Sequence, residues 1–290
     1  MPHADLLNPA ASGPSTALGP GTDFPANLRY WRMRRGYSQM RLAAEGGLSQ
    51  RHLSYLESGR SQPSRDMVLR LGRVLDMPLR HRNSLLLAAG YAPAYRERSL
   101  SDPELAAVSR ALDFTLKRHE PYPALVVDRL WHLVRANEAA FMLMSWLLGV
   151  SPAKVRETSE NANVLALFLD PKGLRPYLIN AEAVVPDLLD WIRREVVQDG
   201  PVGEAANLLA TLTELVGPDF ARGEPAEMQR LPFLPISIRK EGTTLNLFTT
   251  ISTLGTPHDV VVHELRVETF FPADEATEAW LIRQSLARKS

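Results

Sequence analysis

Cysteine is absent from the 290 residues, which excludes disulfides, thiolate zinc sites, iron–sulfur clusters and a cysteine nucleophile. That fits a reducing compartment. Long apolar runs are missing too: the longest, Ala139 to Val150, covers 12 residues, short of the roughly 20 that a membrane helix needs. Residues 1–23, rich in Pro, Gly, Ala and Ser, lack the basic start and apolar stretch of a secretion signal. They read as a disordered tail, and a soluble, cytoplasmic protein without membrane insertion is expected. The sequence has no Gly-rich phosphate loop and no G-x-S-x-G nucleophile elbow, so no enzyme is expected. His258 and His263 stand five apart, off the four-residue spacing of a helical metal pair, and no metal is expected.

Net charge is also lacking, but only on average. Residues 24–98 hold 14 Arg and no Lys against 5 acidic groups, a net +9, whereas residues 99–290 carry −7 and the tail −2. A basic head joined to an acidic body is the signature of an interacting protein. The apolar fraction of 45% supplies a globular core.

In the head, the spacing predicts five short helices. The first runs from about Ala26 to Arg35 and stops at Gly36. Ser38, Ser49 and Ser64 stand as caps before SQMRLAAE, QRHLSYLE and RDMVLRLGRVLD, with Gly46 and Gly47 turning the chain at positive φ. The fifth covers about Leu79 to Ala89. Two helices joined by a four-residue turn make a helix-turn-helix, whose projecting helix fits the major groove of DNA. In LSQRHLSYLESGR, Leu48, Leu53 and Leu56 face inward while Gln50, Arg51, Ser54 and Tyr55 face out. A merely solvated face would carry Glu and Lys. Gln pairs with adenine and Arg with guanine through two hydrogen bonds each.

The run from Arg34 to Leu75 (RRGYSQMRLAAEGGLSQRHLSYLESGRSQPSRDMVLRLGRVL) resembles the xenobiotic-response-element family of lambda-repressor-like helix-turn-helix regulators. Its markers are Arg-Gly before the second helix, Ser-Gln at its start, Leu-Ala within it, and Glu-x-Gly-Arg with Pro-Ser after the third. The resemblance implies Gln50, Arg51 and Tyr55 as base readers, though Tyr55 also fits packing on its own module. It implies Ser38, Gln39, Ser49, Ser54, Arg60 and Ser64 near the DNA backbone or capping helices, and Arg32–Glu57 as a structural ion pair. Arg70, Arg73, Arg80 and Arg82 read as a general positive field.

The body, residues 99–290, changes pattern. Ser101-Asp-Pro-Glu104 is a capping-box sequence. It opens an amphipathic helix (Leu105, Val108, Leu112, Leu116) that either connects the domains or pairs with a symmetry mate. Two short strands follow, Ala124–Val127 and Trp131–Arg135, around Asp128-Arg129, and then a helix capped by Asn137. The middle is helical: NVLALFLDP, residues 180–197 with Pro186, and residues 203–216. ISIRKEGTTLNLFTTIST reads as a hairpin turning at Glu241-Gly242, VVVHELRVETFF as a further strand region, and FPADEATEAWLIRQS as a closing helix.

That order is PAS-like, an antiparallel sheet wrapped by helices, so the fold class is multidomain α and α+β. VVDRLWHLVRANEAA, NVLALFLDP and the terminal hairpin resemble the MmyB-like ligand-binding domain, over about residues 105–272; its Asp-Pro is followed here by Lys172-Gly173 where that family often has Trp-Glu. The resemblance implies a small apolar ligand, such as a fatty acid, between sheet and helices, and no other cofactor. Phe141, Met144, Phe168, Trp191 and Phe248 suit a pocket wall, although their spacing suits plain core as well. His132, Arg135, Arg239 and Arg266 suit a carboxylate head group, or ion pairs at the surface. The reading is a DNA-binding regulator that takes a double-stranded operator as a homodimer and senses a small apolar ligand. The alternative is a constitutive regulator whose body only dimerises or binds a protein partner.

Overall fold

The computed structural model describes residues 23–199, 203–221, 234–255 and 258–287. The tail expected at 1–23 lies outside the described residues except for Asp23, which caps the first helix.

Five helices form the N-terminal bundle: α1 Phe24–Arg34, α2 Gln39–Glu45, α3 Gln50–Glu57, α4 Arg65–Val74 and α5 Leu79–Ala88. Each of the first four has a side-chain cap. Asp23, Ser38, Ser49 and Ser64 accept from the backbone N–H of Ala26, Arg41, His52 and Met67, which satisfies donors that a helix start leaves open. The Asp23 cap, with Pro25 in the first turn, starts α1 two residues ahead of the expected position. In the α2–α3 turn only Gly47 takes a positive φ, of 66°. Gly46 is right-handed, contrary to expectation, and its requirement is room: a Cβ there would lie 3.1 Å from Leu71 Cδ2. Leu28, Trp31, Leu42, Leu53, Leu56, Leu71 and Leu85 close the core.

The C-terminal sheet comprises β1 Ala124–Val127, β2 Leu133–Ala136, β3 Leu234–Lys240, β4 Thr243–Ser252 and β5 Arg266–Pro272. Their order is β2-β1-β5-β4-β3, with every neighbouring pair antiparallel. The antiparallel sheet wrapped by helices is as expected. The register gives it two faces. Leu125, Val127, Ile236, Ile238, Leu247 and Phe270 point inward to α7 Glu138–Leu148, α9 Val164–Leu169, α10 Ala181–Asp199 and α11 Glu204–Val216. Ala124, Val126 and Val267 point outward to Leu112 and Leu116 of α6 Ala106–Arg118. The apolar side of α6 is therefore covered by its own sheet. A short helix, α12 Pro218–Ala221, follows α11, and α14 Glu275–Ala287 closes the end, with Trp280 against Trp146.

Several local expectations change. Val260–Glu264, read as strand, is a short helix, α13: Asp259 caps it by accepting from Val261 and Val262, and Val260 and Val262 are buried. Packing and a cap override the β preference of three valines. Strand β2 starts at Leu133 rather than Trp131, because Trp131 takes a φ of 67° and stacks on Trp191 at 4.7 Å. The Ser101–Glu104 box does not close. Asp102 instead accepts from the Ser99 N–H, a 3-10 turn covers Pro103–Leu105, and Glu104 pairs with Arg98. An unexpected helix, α8 Pro152–Thr158, is capped by Ser151. Pro186 lies inside α10.

Candidate nucleic-acid interface and ligand cavity

Helix α3 is held from behind and open in front. Leu53 and Leu56 are buried, while Gln50 and Arg51 are exposed at the first turn. Arg51 Nε donates to Tyr55 Oη at 2.9 Å, and the guanidinium lies 5.4 Å from the Tyr55 ring centre, so one fingertip side chain steadies the other. Ser54 is half-buried and Arg60 exposed. Behind them, Arg32 binds Glu57 through two bonds of 2.5 and 3.0 Å and also donates to the Tyr37 carbonyl at 2.8 Å. Gln39 donates to the same Glu57 carboxylate at 2.8 Å, which fixes the start of α2 against the end of α3. The hydroxyls of Ser38, Ser49 and Ser64 accept from their own helices. Among the described residues, no hydrogen bond or ion pair of Gln50 to Arg60 reaches the C-terminal domain.

Beneath the sheet lies a cavity of about 60 Å³. Phe141 and Met144 of α7, Phe168 of α9, Leu125, Leu133, Ile238, Leu247 and Phe270 of the sheet, and Val155 and Ser159 around α8 line it, with no charged side chain among them. The other residues considered for the ligand lie elsewhere. Trp191 stacks on Trp131 and Phe248 on Phe271. His132 contacts Asp128 at 3.0 Å, and that hydrogen bond holds its proton above the usual imidazole range. Arg135 binds Asp113 at 2.6 Å, Arg239 donates to Thr244 at 3.2 Å, and Arg266 pairs with Glu195. The strand residues in the lining, Leu125, Leu133, Ala136, Ile238, Leu247 and Phe270, all escaped the sequence reading, because nothing in an alternating apolar strand separates a cavity wall from filled core.

Glu268 is the outlier on the inner face. It faces Leu125 and Ile251 across the ladder and is 4% exposed. Burial pushes its carboxyl up to about 8, against a weaker pull down from a Thr249 hydrogen bond, so at neutral pH it stays protonated.

A buried charge network joins the two domains. Arg80 of α5 forms bonds of 2.8 and 2.9 Å with Glu264 of α13, so Arg80 is a docking residue rather than part of a diffuse positive field. His81 Nε2 lies 3.1 Å from Asp199 at the end of α10, and Arg129 bridges Asp199 at 2.5 Å and Glu204 at 3.1 Å. Burial works against the charge on Asp199, yet the His81 and Arg129 contacts outweigh it and hold the carboxyl below its usual range. Tyr30 Oη adds a bond to the Val197 carbonyl at 2.8 Å. Charges in this setting are costly unless paired, and all of them are. Docking thus uses α1 and α5, while Gln50 and Arg51 at the α3 tip stay exposed.

Comparisons with known proteins find two families along the chain. A helix-turn-helix family matches residues 28–81, and the MmyB-like transcription regulator ligand binding domain matches residues 108–283. Neither is a family of enzymes. A search of curated proteins finds no match. Among solved structures, the chain is similar to the PAS domain from Bordetella pertussis BvgS, with 13% identity over 62% of this chain and 99% of that one, at a TM-score of 0.26. It is also similar to an RNA-binding Light-Oxygen-Voltage receptor, with 12% identity over 93% of this chain and 64% of that one, at a TM-score of 0.28. Among the described residues, no helix is long and apolar enough to cross a membrane. With its DNA-binding helix-turn-helix at the front and its second family match spanning most of the remaining residues, the chain belongs to the transcription regulators that carry the MmyB-like ligand-binding domain.

Proposed function

We propose that this regulator binds a two-fold symmetric DNA operator as a cytoplasmic homodimer, and that a small apolar ligand, such as a fatty acid, adjusts its operator affinity. Gln50, Arg51 and Tyr55 read base edges, while Ser38, Gln39, Ser49, Ser54, Arg60 and Ser64 lie along the phosphates. Phe141, Met144 and Phe168 contact the ligand. The observation that carries the reading is a cavity lined without any charged side chain in a chain whose α3 tip exposes Gln50 and Arg51. A ligand acts only through the difference in its affinity for two arrangements of the protein. About 1–3 kcal/mol of such coupling changes DNA affinity some 5–150-fold.

One observation favours the second reading, a constitutive regulator. At about 60 Å³, the cavity is far under the roughly 300–1,000 Å³ of ordinary ligand pockets. Genome-wide mapping of bound sites, with and without added acyl ligand, separates the two. The ligand-responsive reading expects half-sites about 34–36 Å apart or a multiple of that, with occupancy that changes on ligand addition. Unchanged occupancy with every acyl ligand supports the constitutive reading.

A further inference from the structure

A cavity of only about 60 Å³ needs a wall that moves and a place for the polar end of its ligand. Helix α8 answers the first need. Of its seven residues it buries a single side chain, Val155, so little apolar contact is lost when it lifts, whereas α7 buries four side chains and α9 three. Val155 and Ser159 line the apolar cavity, as does Phe141 of α7. An open cleft of about 470 Å³ is lined by Glu138 and Met142 of α7, Pro152 and Arg156 of α8, and Gln284 and Ala287 of α14. The Arg156 guanidinium, at the cleft, sits over the ring of Phe141, at the cavity, at 4.4 Å.

Arg156 also ties α8 to α7, through a two-bond pair with Glu138 at 2.7 and 2.5 Å. Both side chains are about 40% exposed, at 39% and 44%. An exposed pair of this kind contributes little to stability, and its geometry is the planar fork that any carboxylate can accept. Lys240, near the far end of α7, is committed to the carbonyls of Trp146 and Leu147.

We propose that α8 is the movable wall of the ligand cavity and that Arg156 is the head-group anchor, exchanging Glu138 for the carboxylate of an amphipathic anion whose chain passes Phe141 into the cavity. The exchange replaces one carboxylate with another, so the guanidinium keeps both of its bonds while the apolar chain leaves water. The charge stays at the cleft, outside a lining that has nothing to pair with it. This inference rests on the ligand-binding reading above.

Calorimetric titration of the full chain with dodecanoate below its micellar concentration and with dodecanol below its solubility limit tests it. The two probes share a chain and differ in head-group charge. The native protein binds dodecanoate at least tenfold more tightly than dodecanol. Arg156→Ala loses about tenfold for dodecanoate and leaves dodecanol unchanged, while Glu138→Gln tightens dodecanoate by removing the competing carboxylate. Equal weakening of both probes by Arg156→Ala, or no weakening of either, overturns the anchor and leaves the ligand-binding reading standing. If the native protein binds neither probe, the ligand-binding reading falls with it. Should Arg156→Ala fail to fold, the Glu138→Gln result and the native head-group preference decide the matter.

Discussion

Replacing Glu268 by Gln isolates the one acid buried on the inner face of the sheet. In the folded chain burial holds its proton up to about pH 8, against an ordinary value of 4.5. Between those two values the unfolded chain has released a proton that the folded chain retains, so each unit of rising pH disfavours folding by about 1.4 kcal/mol. The contribution of this site to stability is complete below 4.5 and is lost as pH rises towards 8. The accumulated cost is roughly 3 kcal/mol at pH 7 and about 5 kcal/mol above pH 8. Glutamine keeps the shape and a hydrogen-bonding group for Thr249 but cannot ionise. Urea unfolding followed by tryptophan fluorescence is a suitable assay, because Trp131, Trp146, Trp191 and Trp280, four of the five tryptophans, lie in the C-terminal domain. The stability difference between variant and native protein then grows with pH at about 1.4 kcal/mol per unit between roughly pH 5 and 8. Other titrating groups cancel in that difference. Parallel stability curves would refute the reasoning, since they would mean that Glu268 ionises alike in the folded and unfolded chain.

Other perturbations test the remaining contacts. Arg32→Ala leaves Glu57, whose side chain is 4% exposed, with Gln39 as its remaining side-chain donor; thermal unfolding of the N-terminal bundle should register a loss of about 3–5 kcal/mol. A loss under about 1 kcal/mol would class the pair with ordinary surface bridges. Asp199→Asn removes the negative charge shared by His81 and Arg129 and replaces one acceptor oxygen with an amide donor; hydrogen exchange should quicken at α5 and the end of α10, and unchanged protection there would deny the junction its structural part. Because the Asp199 carboxyl is held below its ordinary 3.8, its contribution is present above that value and is lost as pH falls through the depressed one.

The bundle was legible because its signals are local. Ser38, Ser49 and Ser64 mark helix starts within three residues of the donors they satisfy, and the hairpin turn at Glu241-Gly242 needs only the positive φ of those two residues. Ser151-Pro152 carries a similar local signature, and α8 could have been found from it. Val260–Glu264 misled because β-branched residues favour strands, whereas the Asp259 cap and contact with α5 decide the outcome. The junction left no trace in the sequence: Arg80 and Glu264 are 184 positions apart, and no periodicity or composition ties them together. The same holds for Arg266, which suits a ligand head group by its chemistry but lies against Glu195, 71 positions away. Arg32–Glu57 was accessible only through family resemblance, for the same reason of distance along the chain.

The account turns on the tip of α3 reading bases, and the most direct measurement is operator selection by full-length Arg51→Ala from a randomised DNA pool. Base preference should relax at one position in each half-site, at a cost of roughly 1–3 kcal/mol, while the other positions keep their order. A uniform fall in affinity across all sequences would move Arg51 to the phosphate backbone and contradict the claim.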